Sequence, residues 1–229
     1  MRDREIDAIL NQAAQAPNDV DPALLASIAN SVGRSLTPVR PLPPAWALAG
    51  GLVLISVAVA LAGAGRLGFY GIQKMSVLDR ALIFPALGLL LWLAATASVA
   101  EMIPGRRRVS PPILLGAGSL ALVTVFAILF RDYHTHHFVH EGIACLSAGL
   151  LHAIPAALAS WVLLRRGFAV NPVAAGLVAG TLAGLAGVTM LELHCPNFEA
   201  PHVMLWHTAV VPMSGAAGAL LGWLSNRRA

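Results

Sequence analysis

Apolar runs of about twenty residues, punctuated by isolated charges, dominate the chain from residue 45 onward. Six runs have this form: 45–65, 81–100, 109–130, 142–164, 172–191 and 203–224. Arg66 closes the first, and Arg80 and Glu101 bracket the second. Arg108 and Arg131 bracket the third, Glu141 and Arg165 the fourth, and Asn171 and Glu192 the fifth. Arg227 and Arg228 follow the sixth, and no Asp, Glu, Lys or Arg lies inside any run. A helix rises about 1.5 Å per residue, so each run is long enough to cross a hydrocarbon core roughly 30 Å thick. The runs are continuous and rich in Ala, Leu and Gly, whereas barrel strands alternate. The expected fold class is therefore all-α: a polytopic membrane protein with six transmembrane helices.

Residues 1–44 are different in kind. Residues 3–16 place Ile6, Ile9, Leu10 and Ala13 at helical spacing. Residues 21–32 place Leu24, Leu25, Ile28, Ala29 and Val32 on one face, with Pro22 in the first turn and Asp19 or Asp21 available as a cap. Pro38, Pro41, Pro43 and Pro44 then make a stiff lead into the first span. Two short amphipathic helices cannot bury their apolar faces alone. Their polar faces are poor in Lys, which points to a protein partner rather than a lipid surface. The expected organisation is a short amphipathic helical N-terminal segment, 1–44, and a six-helix transmembrane domain, 45–229.

Charge placement adds orientation. Of the 229 residues, 57% are hydrophobic and 11% charged, far below the roughly 25% charged of a soluble domain. An even number of spans puts both termini on one side. That side holds Arg2, Arg4, Arg34, Arg40, Arg106, Arg107, Arg108, Arg165, Arg166, Arg227 and Arg228. The other side holds Arg66, Lys74, Arg80 and Arg131. Eleven against four predicts cytoplasmic termini, with no secretory signal peptide. The basic residues thus read as topology signals, not as a nucleic-acid surface. Gly176, Gly180 and Gly184 in the fifth span, and Gly215, Gly218 and Gly222 in the sixth, predict close helix packing.

Candidate chemistry collects at the outward end. All eight histidines follow residue 133. His134, His136, His137, His140, His194 and His202 lie in or beside two outward loops, with His207 and His152 inside the sixth and fourth spans. The only cysteines, Cys145 and Cys195, belong to the same region. On a continuous helix His137, Glu141, Cys145 and His152 would share a face. Opposite them stands the run from Glu192 through His194, Cys195, Glu199 and His202 to His207. Imidazole, thiolate and carboxylate suit zinc or copper. The candidate ligands are Cys145, Cys195, His137, His140, Glu141, His194, His202 and His207, with zinc, copper or another soft metal ion acting as signal rather than as resident cofactor. The two thiols could instead form a disulfide on an oxidising face or serve as oxidation targets. No nucleophile motif stands beside a base and no HExxH occurs, so an enzyme is not expected.

Cys145, the span ending Leu163-Leu164-Arg165-Arg166-Gly167, the Gly-rich span after it, His194-Cys195-Pro196 and Trp206-His207 form a familiar series. It resembles the NrsF family of bacterial inner-membrane anti-sigma factors, in residues mainly across 142–224. The resemblance implies a multi-pass protein of the bacterial inner membrane with cytoplasmic termini. It implies an extracytoplasmic-function sigma factor as the protein partner, held inactive at the lipid bilayer without direct nucleic-acid contact. It also implies that Cys145 and Cys195 are the pair that senses metal or oxidative stress. The partner-binding candidates are Ile6, Ile9, Leu10, Leu24, Leu25 and Ile28. An integral membrane metal- or haem-binding redox protein, a transporter and a pH sensor using the His/Cys cluster are the alternatives.

Overall fold

A computed structural model describes residues 21–35, 43–103, 110–165 and 171–227, together with Ala8, Asn11, Gly167 and Ala169. The chain packs as two units, Met1–Leu42 and Pro43–Ala229.

In the first unit, α1 spans Pro22–Ser35. Asp21 starts it: its carboxylate accepts from the Ala23 N–H at 2.8 Å, and its carbonyl accepts from the Leu25 N–H at 3.1 Å. Satisfying these early N–H groups is what a cap does. Leu24, Leu25 and Ile28 are about half exposed on this helix. Ile6, Ile9 and Leu10 lie outside the described residues, as does the helix expected over 3–16 apart from Ala8 and Asn11.

The second unit is all-α among its described residues. Its elements are α2 (Ala45–Leu67), the short α3 (Tyr70–Lys74), α4 (Val77–Met102), α5 (Pro111–Leu129), α6 (Phe138–Leu164), α7 (Pro172–His194), α8 (Ala200–His202) and α9 (Thr208–Asn226). A π turn, Val203–His207, joins α8 to α9, so the last span runs Ala200–Ser225. Six helices are long and apolar enough to cross a membrane.

Helix α7 is the axis of this unit. Every residue from Val178 to Leu193 is buried, and α7 packs against α9, α6, α2 and α4. Glycine makes the α7–α9 contact possible. A methyl group at Gly180 would overlap the carbonyl of Ser214, and one at Gly176 the carbonyl of Gly218. Without side chains the two backbones approach closely, which is how helices gain dispersion energy in lipid. Four hydroxyls are satisfied locally: Ser98, Ser160, Thr181 and Thr189 each donate to the carbonyl four residues earlier. Lipid offers no alternative acceptor.

The helices overrun the purely apolar segments, and this corrects the expectation of charge-free spans. Helix α4 begins at Val77, where Ser76 and Asp79 form a reciprocal capping box, and it carries buried Glu101. Helix α6 begins at Phe138 and includes Glu141. Helix α7 continues past Leu191 to His194, which places Glu192 inside the helix and fully buried. His137 is not on the helix: it precedes α6 with φ 49°, in the left-handed region. The shared face expected for His137, Glu141 and Cys145 therefore begins at Glu141.

Candidate metal and redox site

The site lies where α7 ends. Cys195 caps this helix, its N–H bonding the Leu191 carbonyl at 2.7 Å, and the chain then turns extended. Residues 195–199 are held by three other segments. His194 Nδ1 donates to the Gly68 carbonyl at 2.9 Å, and Gly71 lies against the carbonyls of Glu192 and Cys195, where a Cβ would clash. Asn197 donates to Glu141 at 2.8 Å. The Ala200 N–H donates to the Asp132 carbonyl at 2.6 Å, His136 donates to the Glu199 carboxylate, and Phe198 stacks on Phe130 at 5.1 Å.

Behind this strap four candidate ligands converge. Cys145 Sγ from α6 lies 3.4 Å from Cys195 Sγ, and both cysteines are free thiols. His202 Nε2 lies 3.7 Å from Cys195 Sγ. The rings of His202 and His207 meet edge to face, with centroids 5.2 Å apart. One ligand atom from each of Cys145, Cys195, His202 and His207 lies within 4.8 Å of all the others. Both imidazoles and Cys195 are buried, and Cys145 is partly covered.

The π turn explains how two histidines five residues apart reach one point. In an α-helix, five steps of about 100° put such residues about 140° apart, on divergent faces. A π turn closes after five residues, so positions i and i+5 stack. Trp206, within the turn, packs its indole over Gly142 of α6, where no larger residue fits.

Glu192 completes the arrangement. Its carboxylate accepts a hydrogen bond from His207 Nδ1 at 2.7 Å, and both side chains are fully buried. That bond leaves Nε2 of His207 as the nitrogen facing away from Glu192. His207 Nε2 and His202 Nδ1 are both buried without a hydrogen-bond partner. Sequence reasoning set Glu192 at the end of a span and at the start of the ligand-bearing run, but did not count it among the candidate site residues. Its signal was the apolar sequence on both sides, Met190, Leu191 and Leu193.

Of the eight ligand candidates, the structure therefore gathers Cys145, Cys195, His202 and His207. It does not gather the other four. His194 is turned toward Gly68 and Glu141 is engaged by Asn197. His137 and His140 are exposed at the start of α6. His152 lies two turns deeper than Cys145 and donates from Nδ1 to the Ala148 carbonyl at 2.8 Å.

Electrostatics differ between the cluster and its cover. Contact with Cys145, and then burial, push the Cys195 thiol above its ordinary range. In the exposed loop that holds the strap, the hydrogen bond from His134 holds the Asp132 carboxyl low, and the same bond raises His134. The hydrogen bond from His136 likewise lowers Glu199.

Searches of curated proteins and of solved structures return no match to this chain. A family profile described as NrsF, negative regulator of sigma F, matches residues 33–227. That match runs through all six spans and the Cys145/Cys195 site, and on this ground the chain belongs to the NrsF family.

Proposed function

We propose that this protein is a membrane-bound anti-sigma factor. It holds an extracytoplasmic-function sigma factor inactive through residues 1–44 and releases it when metal or oxidant acts on Cys145 and Cys195. The observation that carries this reading is the pair of free thiols 3.4 Å apart, inside a family described as negative regulators of sigma F. The pair joins α6 to the end of α7, the most buried helix, so chemistry there bears on the packing of the whole bundle.

Two stimuli suit the pair. An oxidant such as a peroxide takes two electrons and two protons from the thiols, one S–S bond forms, and the peroxide leaves as water or alcohol plus water. The sulfurs then close from 3.4 Å to about 2.05 Å. A soft metal ion instead displaces the two thiol protons and binds the thiolates. Either event redistributes a two-state bundle, and a coupling of about 1–3 kcal/mol would change affinity for the partner about 5- to 150-fold.

Orientation follows from the Lys/Arg bias, with the termini in the cytoplasm and the cysteine site outside; the bacterial inner membrane is what the resemblance to the NrsF family implies. The family match starts at residue 33, so the partner-binding role of residues 1–44 rests on the half-exposed Leu24, Leu25 and Ile28 of α1. The test is capture of the sigma factor by the full-length protein in detergent, with and without oxidant or metal. Capture that is lost on treatment in the parent chain, but kept in a Cys145→Ala, Cys195→Ala variant, supports the reading. A variant that still releases its partner overturns it.

A further inference from the structure

We propose that Cys145, Cys195, His202 and His207 form a closed four-ligand site for a divalent cation of the zinc and cadmium class, with Glu192 as its positioning residue. The proposal rests on the thiol pair being the sensor and deepens it: histidines and a buried carboxylate make the pair selective for a metal.

Two thiolates and two imidazoles are the donor set of four-coordinate structural zinc sites. Here the four donor atoms already lie within 4.8 Å of one another, so a small rearrangement would place a cation between them. They come from three separate segments: α6, the cap of α7, and the continuous stretch of α8 and the π turn before α9. A bound ion would tie these together.

The buried polar atoms point the same way. His207 Nε2 has no hydrogen-bond partner although the ring is fully buried. An unsatisfied buried nitrogen is costly unless something binds it. Glu192 accepts from His207 Nδ1, which sets the tautomer that leaves the Nε2 lone pair free. Carboxylate–histidine–metal chains of this kind orient the ligand and raise its basicity. A divalent cation displaces two thiol protons, which leave to solvent; its charge offsets the two thiolates, and the Glu192 carboxylate beside His207 leaves the buried assembly with one negative charge.

Metal and disulfide draw on the same two sulfurs, so occupancy by one excludes the other. The reduced full-length protein in detergent is titrated with Zn²⁺ against a chromophoric chelator, and with Co²⁺ followed by its tetrahedral d–d bands. One ion per chain is expected. Glu192→Gln should weaken binding about 10- to 100-fold while both thiols remain titratable and the helical circular dichroism remains parental. His202→Ala should weaken it at least as much. In the unaltered chain, Zn²⁺ should slow alkylation and oxidation of both cysteines, a readout that needs no variant to fold. Binding that depends on the cysteines but is unchanged in both variants overturns the proposal and leaves the anti-sigma reading standing. An octahedral cobalt spectrum, or thiols that zinc does not protect, overturns it too.

Discussion

Glu192 and His207 meet through a 2.7 Å hydrogen bond with neither side chain reaching solvent. The bond links α7 to the π turn, so it is structural as well as chemical. Removing one partner leaves the other buried and unsatisfied, at a cost of about 1–3 kcal/mol or more if it is charged. Glu192→Ala should lower the thermal unfolding temperature in detergent clearly more than Glu192→Gln, which keeps an acceptor for Nδ1–H. Equal destabilisation by the two substitutions would show that the bond contributes nothing beyond side-chain volume.

The α7–α9 contact makes a similar comparison with glycine. Gly180 has the Ser214 carbonyl where a methyl group would go, whereas Gly51 in α2 has nothing within 4 Å. Overpacking of this kind costs about 1–3 kcal/mol. Gly180→Ala should destabilise the bundle by that order, and Gly51→Ala should be neutral or slightly stabilising. Unfolding in mixed micelles reads both, and a neutral Gly180→Ala would mean that the two helices separate freely.

The strap over the site should respond to pH in a defined window. His134 has its value raised above 6.5 by Asp132, so its contribution is complete below 6.5 and is lost as pH rises through the raised value. Glu199 has its value lowered below 4.5 by His136, so its contribution is complete above 4.5 and is lost as pH falls through the lowered value. The strap is thus tightest between 4.5 and 6.5. Exchange protection of the Ala200 amide, which bonds Asp132, should fall as pH rises beyond this window, after correction for intrinsic exchange. His134→Ala should remove that dependence, and an unaltered pH profile in the variant would refute the assignment.

The first unit should be separable from the second by substitution. Leu24, Leu25 and Ile28 are half exposed on α1, so replacing them costs the fold little. Leu24→Glu with Ile28→Glu should abolish capture of the sigma factor while the unfolding temperature of the membrane bundle stays within a degree or two. Undiminished capture would place the binding surface elsewhere.

Much of this fold was legible because hydrophobic transfer free energies add along the chain. Six windows of apolar residues predict six spans without knowledge of their neighbours. Where a few charged residues continue a helix beyond its apolar part, as at Asp79, Glu141 and Glu192, composition alone placed the boundary several residues short. Local hydrogen bonding, not hydropathy, decides where a helix ends: the Ser76–Asp79 capping box and the Cys195 cap are examples.

The cysteines and histidines at one end of the bundle, and the small-residue face of the fifth span, were determined by residue order alone. Which ligands meet was not. Helical spacing pairs His137 with Glu141, but a left-handed residue removes His137 from the helix, and Asn197 engages Glu141. The same spacing separates His202 from His207, yet a π turn brings them together. Cys145 and Cys195 are fifty positions apart in sequence and 3.4 Å apart in space. Spans are set by a sum over neighbouring residues. A site is set by where backbones from distant segments cross, and only the packed helices decide that.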